Sequence, residues 1–184
     1  MTAIYVVIAV LVLVALWVVL AYNALVSNRN KVDEAWSGVD VQLKRRHDLV
    51  PNLVETVKSY AAHERSTLEA VTAARGAAEA AGEPQAVERA EARLTSALGA
   101  VNALAEAYPD LRAAENFQRL QAELAEIEDE IQASRRIYNA NVQAYNTRIQ
   151  VFPTLLIAGP MSFSPREFFE IEVAAERAVP QVAF

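Results

Sequence analysis

Hydrophobic and polar positions fall into distinct regimes along this chain. Residues 3–22 are apolar and carry no charge. A helix rises 1.5 Å per residue, so about twenty residues cross the roughly 30 Å hydrocarbon core of a bilayer. The β-branched residues of the run do not argue against helix, because lipid offers the backbone no partner but itself. Ile4 lies at one end, and Trp17 and Tyr22 stand towards the other, where amphipathic rings favour the membrane–water boundary. The run predicts a retained transmembrane anchor over residues 1–22. A cleavable signal would have a basic residue before a shorter apolar core and a small-x-small site after it, and this run has neither. A buried core helix would carry polar breaks.

Past the run, apolar positions recur at alternating spacings of three and four. The first series is Trp36, Val39, Leu43, Arg46, Val50, Leu53, Val57, Tyr60, Glu64, Thr67, Val71 and Ala74. Such a heptad seam predicts an amphipathic helix with one face in a core or coiled-coil interface. Its phase passes through Pro51, which predicts one long, locally kinked helix over about 23–81. The alternative is a break with Asp48 as N-cap and Pro51 in the first turn of a new helix. Gly82-Glu83-Pro84 then signals a stop and a start. A second helix is expected over 84–107, with Val87, Leu94, Val101 and Tyr108 in heptad repeat and Ala90, Ala97 and Leu104 between them. After Tyr108-Pro109-Asp110, a third is expected over 110–152, with a seam from Phe117 through Ile131, Tyr138 and Tyr145 to Phe152. Three seams joined by short turns predict an all-α fold: a transmembrane helix followed by an antiparallel long-helix bundle over 23–153. The overlong first helix leaves part of its seam for the third helix or another copy to cover. Residues 154–184 read as a C-terminal tail with a short helix near Ser164-Pro165. That tail is too apolar and aromatic to be free, and Phe168, Phe169 and Phe184 are its expected anchors.

Composition adds limits. Only five glycines occur in an alanine-rich chain, which favours helix over strand. The net charge of −6 gives no broad electrostatic case for nucleic acid or an anionic membrane. There is no cysteine, so neither disulfides nor thiolate metal sites contribute. Arg29 and Lys31 follow the apolar run and no Lys or Arg precedes it. The positive-inside rule places the N-terminus outside and the bundle in the cytoplasm.

The motifs of the soluble part resemble a known family. They are Tyr22-Asn23, Arg29-Asn30 and Ala35-Trp36, then DVQLKRRHDLVPNLVETVKSYAAHE from Asp40 and LEAVTAAR from Leu68. YPDLRAAENFQRLQAEL from Tyr108, YNANVQAYNTRI from Tyr138, FPTLLIAG from Phe152 and FFE from Phe168 follow. This is similar to the LemA family of bacterial single-pass membrane proteins, over nearly the whole chain. Residues 159–166, GPMSFSPR, depart from the more usual glycine-phenylalanine and basic stretch. The resemblance implies an inner-membrane anchor, a helical bundle and no established enzymatic activity. It also implies kinship with a branch that helps to form magnetosome membrane compartments, and with members found near genes for membrane proteases or membrane-remodelling proteins.

Common catalytic signatures fail one by one. His63-Glu64 opens like a zinc-protease motif, but Thr67 stands where the second histidine belongs. Neither His47 nor His63 has a glutamate three residues before it, as a di-iron bundle needs. Glycines never cluster as a phosphate loop. No enzyme, cofactor or metal is expected. The dense basic cluster Lys44-Arg45-Arg46-His47 reads either as a solvated face paired with acids on neighbouring helices or as a phosphate or lipid-headgroup site. On a straight helix Arg45 would stand about 35 Å from the membrane, several Debye lengths away, which opposes the lipid reading. Tyr22-Asn23, Tyr138-Asn139 and Tyr145-Asn146 read either as a polar network at a bundle end or as a partner-recognition surface near the membrane. The expected function is a non-enzymatic scaffold that self-associates on the bilayer. The alternative is an adaptor for another membrane protein such as a protease or transporter. Arg45, Arg46, Tyr138, Asn139, Tyr145, Asn146, Phe168, Phe169 and Phe184 are the interaction candidates.

Overall fold

A computed structural model describes residues 1–169. Its elements are α1 (Thr2–Tyr60), α2 (Arg65–Ala80), α3 (Pro84–Ala107), α4 (Pro109–Ala113), α5 (Glu115–Gln150) and α6 (Leu155–Ala158). The fold is all-α. The chain divides into two compact units, one of residues 1–38 and 136–167 and the other of 39–135 and 168–184. Phe184 lies outside the described residues.

In the second unit, α1 keeps a buried stripe of Val39, Leu43, Arg46, Val50, Leu53 and Val57. Pro51 sits on the exposed outer face and α1 runs through it unbroken. Proline has no N–H to give the carbonyl four residues back, which here is that of His47. Arg75 on α2 supplies the missing donor: its Nε reaches the His47 carbonyl at 2.8 Å. The helix therefore loses a backbone bond at Pro51 without leaving that carbonyl unpaired.

The expected single helix over about 23–81 instead stops at Tyr60, and α2 starts at Arg65. Nothing in Ala61-Ala62-His63-Glu64 is a helix breaker; packing decides. A continuing helix would carry Leu68, Val71 and Ala78 away from any partner. Turning back buries all three, with Ala61, in one core with Leu94, Leu98 and Val101 of α3. Glu64 holds the elbow by accepting the Tyr108 hydroxyl at 3.2 Å. Tyr60 is 46% exposed, so it belongs outside the seam in which its spacing put it. On α3 the inner row is Val87, Glu91, Leu94, Leu98, Val101 and Ala105, while Ala97 and Leu104 flank it half-buried.

The expected third helix is two elements. Ala114 is extended (φ −66°, ψ 124°) and separates α4 from α5. The interruption lets Leu111 seal the end of the core at 0% exposure beside Phe117 and Leu120. Cross-links give the directions in this unit. Arg46 pairs with Glu91 and Glu64 with Tyr108, so α3 runs parallel to α1. Arg75 over His47, with Leu68 and Thr72 beside Val54 and Lys58, makes α2 antiparallel to α1, and Glu128 beside Arg46, with Glu115 and Asn116 beside Glu55 and Tyr60, does the same for α5.

In the first unit, α1 begins with the apolar run, whose side chains lie open: Val6, Leu11, Leu13 and Leu16 are each more than half exposed. This helix is long and apolar enough to cross a membrane. Further on, Ala21, Leu25 and Val32 are buried, as are Tyr138, Val142, Tyr145 and Ile149 of α5. The two helices run antiparallel: Trp36 packs on Tyr138 with ring centroids 5.2 Å apart, and Asn141 donates to the Lys31 carbonyl at 3.3 Å. The α5 seam does not reach Phe152, which is 77% exposed; α5 ends at Gln150, ahead of Pro153. Burial there follows Val142 and Ile149, and Arg148 faces out.

Candidate functional site

Two polar constellations stand out, one in each unit. In the bundle of the second unit, the basic cluster splits by face. Lys44 and Arg45 are exposed, and Arg45 donates to Gln42 of its own helix at 3.0 Å. Arg46 and His47 point inward at 5% and 7% exposure. The Arg46 guanidinium donates to Glu91 at 3.2 Å and to the Thr95 hydroxyl at 2.9 Å. It also lies 3.3 Å from a Glu128 carboxylate oxygen that makes no hydrogen bond. The other Glu91 oxygen meets the His47 ring at Nε2. Glu91 is fully buried. A buried carboxylate is tolerated only when its charge and lone pairs are matched, and here the Arg46 guanidinium and the His47 ring from α1 clamp it. The arrangement is closed: each strong donor already holds a protein acceptor. What it can do is fix the register of α1 against α3 and α5, because sliding any helix by one residue would strand a buried charge.

The second constellation is a strap. After α6 the chain reverses through Ser162, whose φ of 60° is left-handed. Phe163 N–H donates to the Ala158 carbonyl at 2.9 Å and Ser162 N–H to that of Gly159 at 3.0 Å, the bond pair of a Schellman turn. Residues 163–167 then run extended along α5. The Tyr145 hydroxyl donates to the Ser164 carbonyl at 3.0 Å, and the Tyr138 hydroxyl to the Glu167 carbonyl at 2.8 Å. Between them Asn146 grips Arg166 twice, its amide donating to the carbonyl and its oxygen accepting the N–H, both at 2.8 Å. The Arg166 side chain crosses to Asp33 on α1 at 2.9 Å. Phe163, 7% exposed, packs edge-on against Tyr22 at 5.7 Å and under the Arg29 guanidinium at 5.5 Å. Burial pushes the hydroxyls of Tyr138 and Tyr145 above the ordinary tyrosine range, and the Arg166 charge partly opposes the shift.

The structure thus brings Tyr138, Tyr145 and Asn146 together on the strap, with Tyr22 at its far end. Asn139 is half-buried one position from Tyr138. Arg45 and Arg46 do not act together, since they face opposite ways. Phe169 is fully buried, whereas Phe168 is 37% exposed, so the pair does not act as one anchor. Ile4 is 64% exposed on the apolar run, and Trp17 is half-buried. Glu91 escaped the sequence reading although a signal existed: Val87, Glu91, Leu94, Leu98 and Val101 keep the three-four spacing, and Glu91 is the charged member. Among the described residues, no three His, Asp or Glu side chains converge as a metal shell.

The model of the LemA family matches residues 35–184. The magnetosome protein MamQ of Magnetospirillum gryphiswaldense is 26% identical over 88% of this chain and 70% of its own length. Magnetosome protein MamQ 2 of Paramagnetospirillum magneticum is 26% identical over 86% of this chain and 68% of its own length. Protein LemA of Metamycoplasma hominis is 28% identical over 74% of this chain and 63% of its own length. A family match over most of the chain, on a helical fold that opens with a membrane-length apolar helix, settles its membership: the chain belongs to the LemA family.

Proposed function

We propose that this protein is a non-enzymatic scaffold, anchored in the inner membrane with its bundle in the cytoplasm, that self-associates at the membrane surface. The observation that carries the reading is where the polar chemistry is used. Arg46, His47 and Glu91 are locked onto one another, and Tyr138, Tyr145 and Asn146 onto a main-chain segment. These groups build and hold shape. Exposed Val41 and Ile137, 56% and 59% accessible on otherwise polar helix faces, are the natural contacts between copies held in one membrane plane. The relatives named as magnetosome proteins support a membrane-associated role. Cross-linking in native membranes, with mass measurement of the particle in nanodiscs, tests it. A ladder of multiples is expected; a monomer at every concentration would refute self-association. A reporter fused after Phe184 should behave as cytoplasmic, since only Arg29 and Lys31 flank the apolar run closely.

One feature favours an adaptor instead. A cleft of about 650 Å³ opens beside the α1–α2 elbow, lined by Val54, Lys58, Leu68 and Thr72 among others, and its mixed apolar and charged wall suits an amphipathic helix. On that reading, gentle purification yields a stable hetero-complex, and Lys58→Glu, at an exposed position of the cleft wall, abolishes it while leaving the fold intact.

A further inference from the structure

The corner between α5 and the strap carries an apolar face that no part of its own unit covers. From Ile149 to Pro165 the chain has no charged residue. Its inward side chains are spent on packing: Ile149, Ala158 and Phe163 are buried. The outward ones are also apolar. Val151 is 45% exposed, Phe152 77%, Leu155 53%, Leu156 63% and Met161 40%. Five large apolar side chains exposed within residues 151–161 are of the kind that marks a binding surface.

The location of this patch names its occupant. Within the same unit, Phe163 lies edge-on against Tyr22, the last residue of the apolar run. Ala21 and Leu25 beside it are 8% and 0% exposed, so packing begins at the very end of the run. The patch is therefore continuous with the segment that enters lipid. The exposed part, residues 151–161, is too short to span a bilayer and is broken by Pro153 and Pro160, which suits an interfacial element. Cations border it: Arg148 is exposed at its start, and Arg29 sits over Phe163. Guanidinium groups at that level meet phosphate headgroups while the rings and aliphatic chains below them meet acyl chains.

We propose that residues 151–161 form a second membrane contact, a wedge that enters the headgroup and upper acyl region of the leaflet from which α1 emerges. The inference rests on the apolar run being a membrane anchor. It does not depend on self-association. A wedge in one leaflet widens that leaflet locally, so the protein binds the bilayer by a surface as well as by a span.

Depth-sensitive spin labelling tests this on the full chain, which has no native cysteine. Leu156→Cys and Phe152→Cys, both at exposed positions, are labelled and reconstituted at low density in vesicles of phosphatidylcholine and phosphatidylglycerol. Val12→Cys reports the span. Gly82→Cys reports water, and a side chain there meets nothing within 4 Å. The expected result is that labels at 156 and 152 collide more with oxygen than with a water-soluble nickel chelate, as at 12 and opposite to 82. Collision patterns at 156 and 152 that match 82 would overturn the wedge. So would shielding from both reagents, which would mean that protein covers the patch. A watery label at 12 would overturn the anchor, and the wedge with it.

Discussion

Pro51 and Arg75 form the most specific claim of the fold: an arginine from a neighbouring helix stands in for a backbone donor that proline lacks. The perturbation is a double-mutant cycle of Arg75→Met and Pro51→Ala. In the natural background, Arg75→Met leaves the half-buried His47 carbonyl unpaired. A hydrogen bond from a charged donor is worth about 1.5–3 kcal/mol, and this one is short at 2.8 Å. The same change removes the Arg75–Glu79 pair at 2.7 Å, but those side chains are 28% and 41% exposed and the pair contributes only about 0.3–0.5 kcal/mol. With alanine at 51, an N–H returns to the His47 carbonyl and Arg75→Met should cost little more than the surface pair. The coupling between the two sites is therefore expected near 1–2.5 kcal/mol, with the sign that proline makes the arginine matter. Denaturant unfolding of the detergent-solubilised full chain, followed by far-ultraviolet circular dichroism, measures all four corners. Equal cost of Arg75→Met in both backgrounds would show that the arginine is only a surface group.

Other outcomes follow from the same geometry. Glu91→Gln removes the charge that matches buried Arg46 and should cost about 3–5 kcal/mol of unfolding free energy, while Arg46→Met with Glu91→Leu should recover most of it. Leu53→Ala should cost about 2–5 kcal/mol in the same assay, and Tyr60→Ala, on the exposed side of the elbow, only about 0.5 kcal/mol. Asn146→Ala deletes two hydrogen bonds to the strap, a loss of about 1–3 kcal/mol, and should raise hydrogen exchange at the Arg166 amide before any global unfolding. Tyr138 and Tyr145 hold their protons more tightly folded than unfolded. Their contribution is whole below about pH 10 and is lost as pH rises through the folded values, so stability should fall in that window and Tyr138→Phe should make the fall shallower.

Much of this architecture is written in punctuation and period. Pro84 and Pro109 mark helix starts by the rule that proline suits a first turn, and each opens a helix. The apolar run is legible from length alone. The elbow at residues 61–64 is hidden for a physical reason. Val57, Glu64, Val71 and Ala78 keep a spacing of seven straight across it, and its residues are ordinary helix formers. Only the gain from folding Leu68 and Val71 back onto α3 breaks the helix, and that gain depends on residues thirty positions away. The same holds for the basic cluster. Four adjacent polar residues look alike in a sequence, but 100° per residue sends Arg45 to water and Arg46 to Glu91. Tyr138, Tyr145 and Asn146 stand out as a set. Their target is invisible, because it is main chain.

That last point governs how this surface can drift. The α5 receptors recognise carbonyls and one amide of residues 164–167, and only Arg166 contributes a side-chain pairing. Amides and carbonyls are the same whatever residues bear them, so the receiver constrains the path of the segment and leaves its spelling nearly free. The departure of GPMSFSPR from the usual family wording then matters little at Ser164 and Pro165, which are held by main chain or exposed, while Phe163 against Tyr22 and Arg166 on Asp33 keep the seat by their side chains.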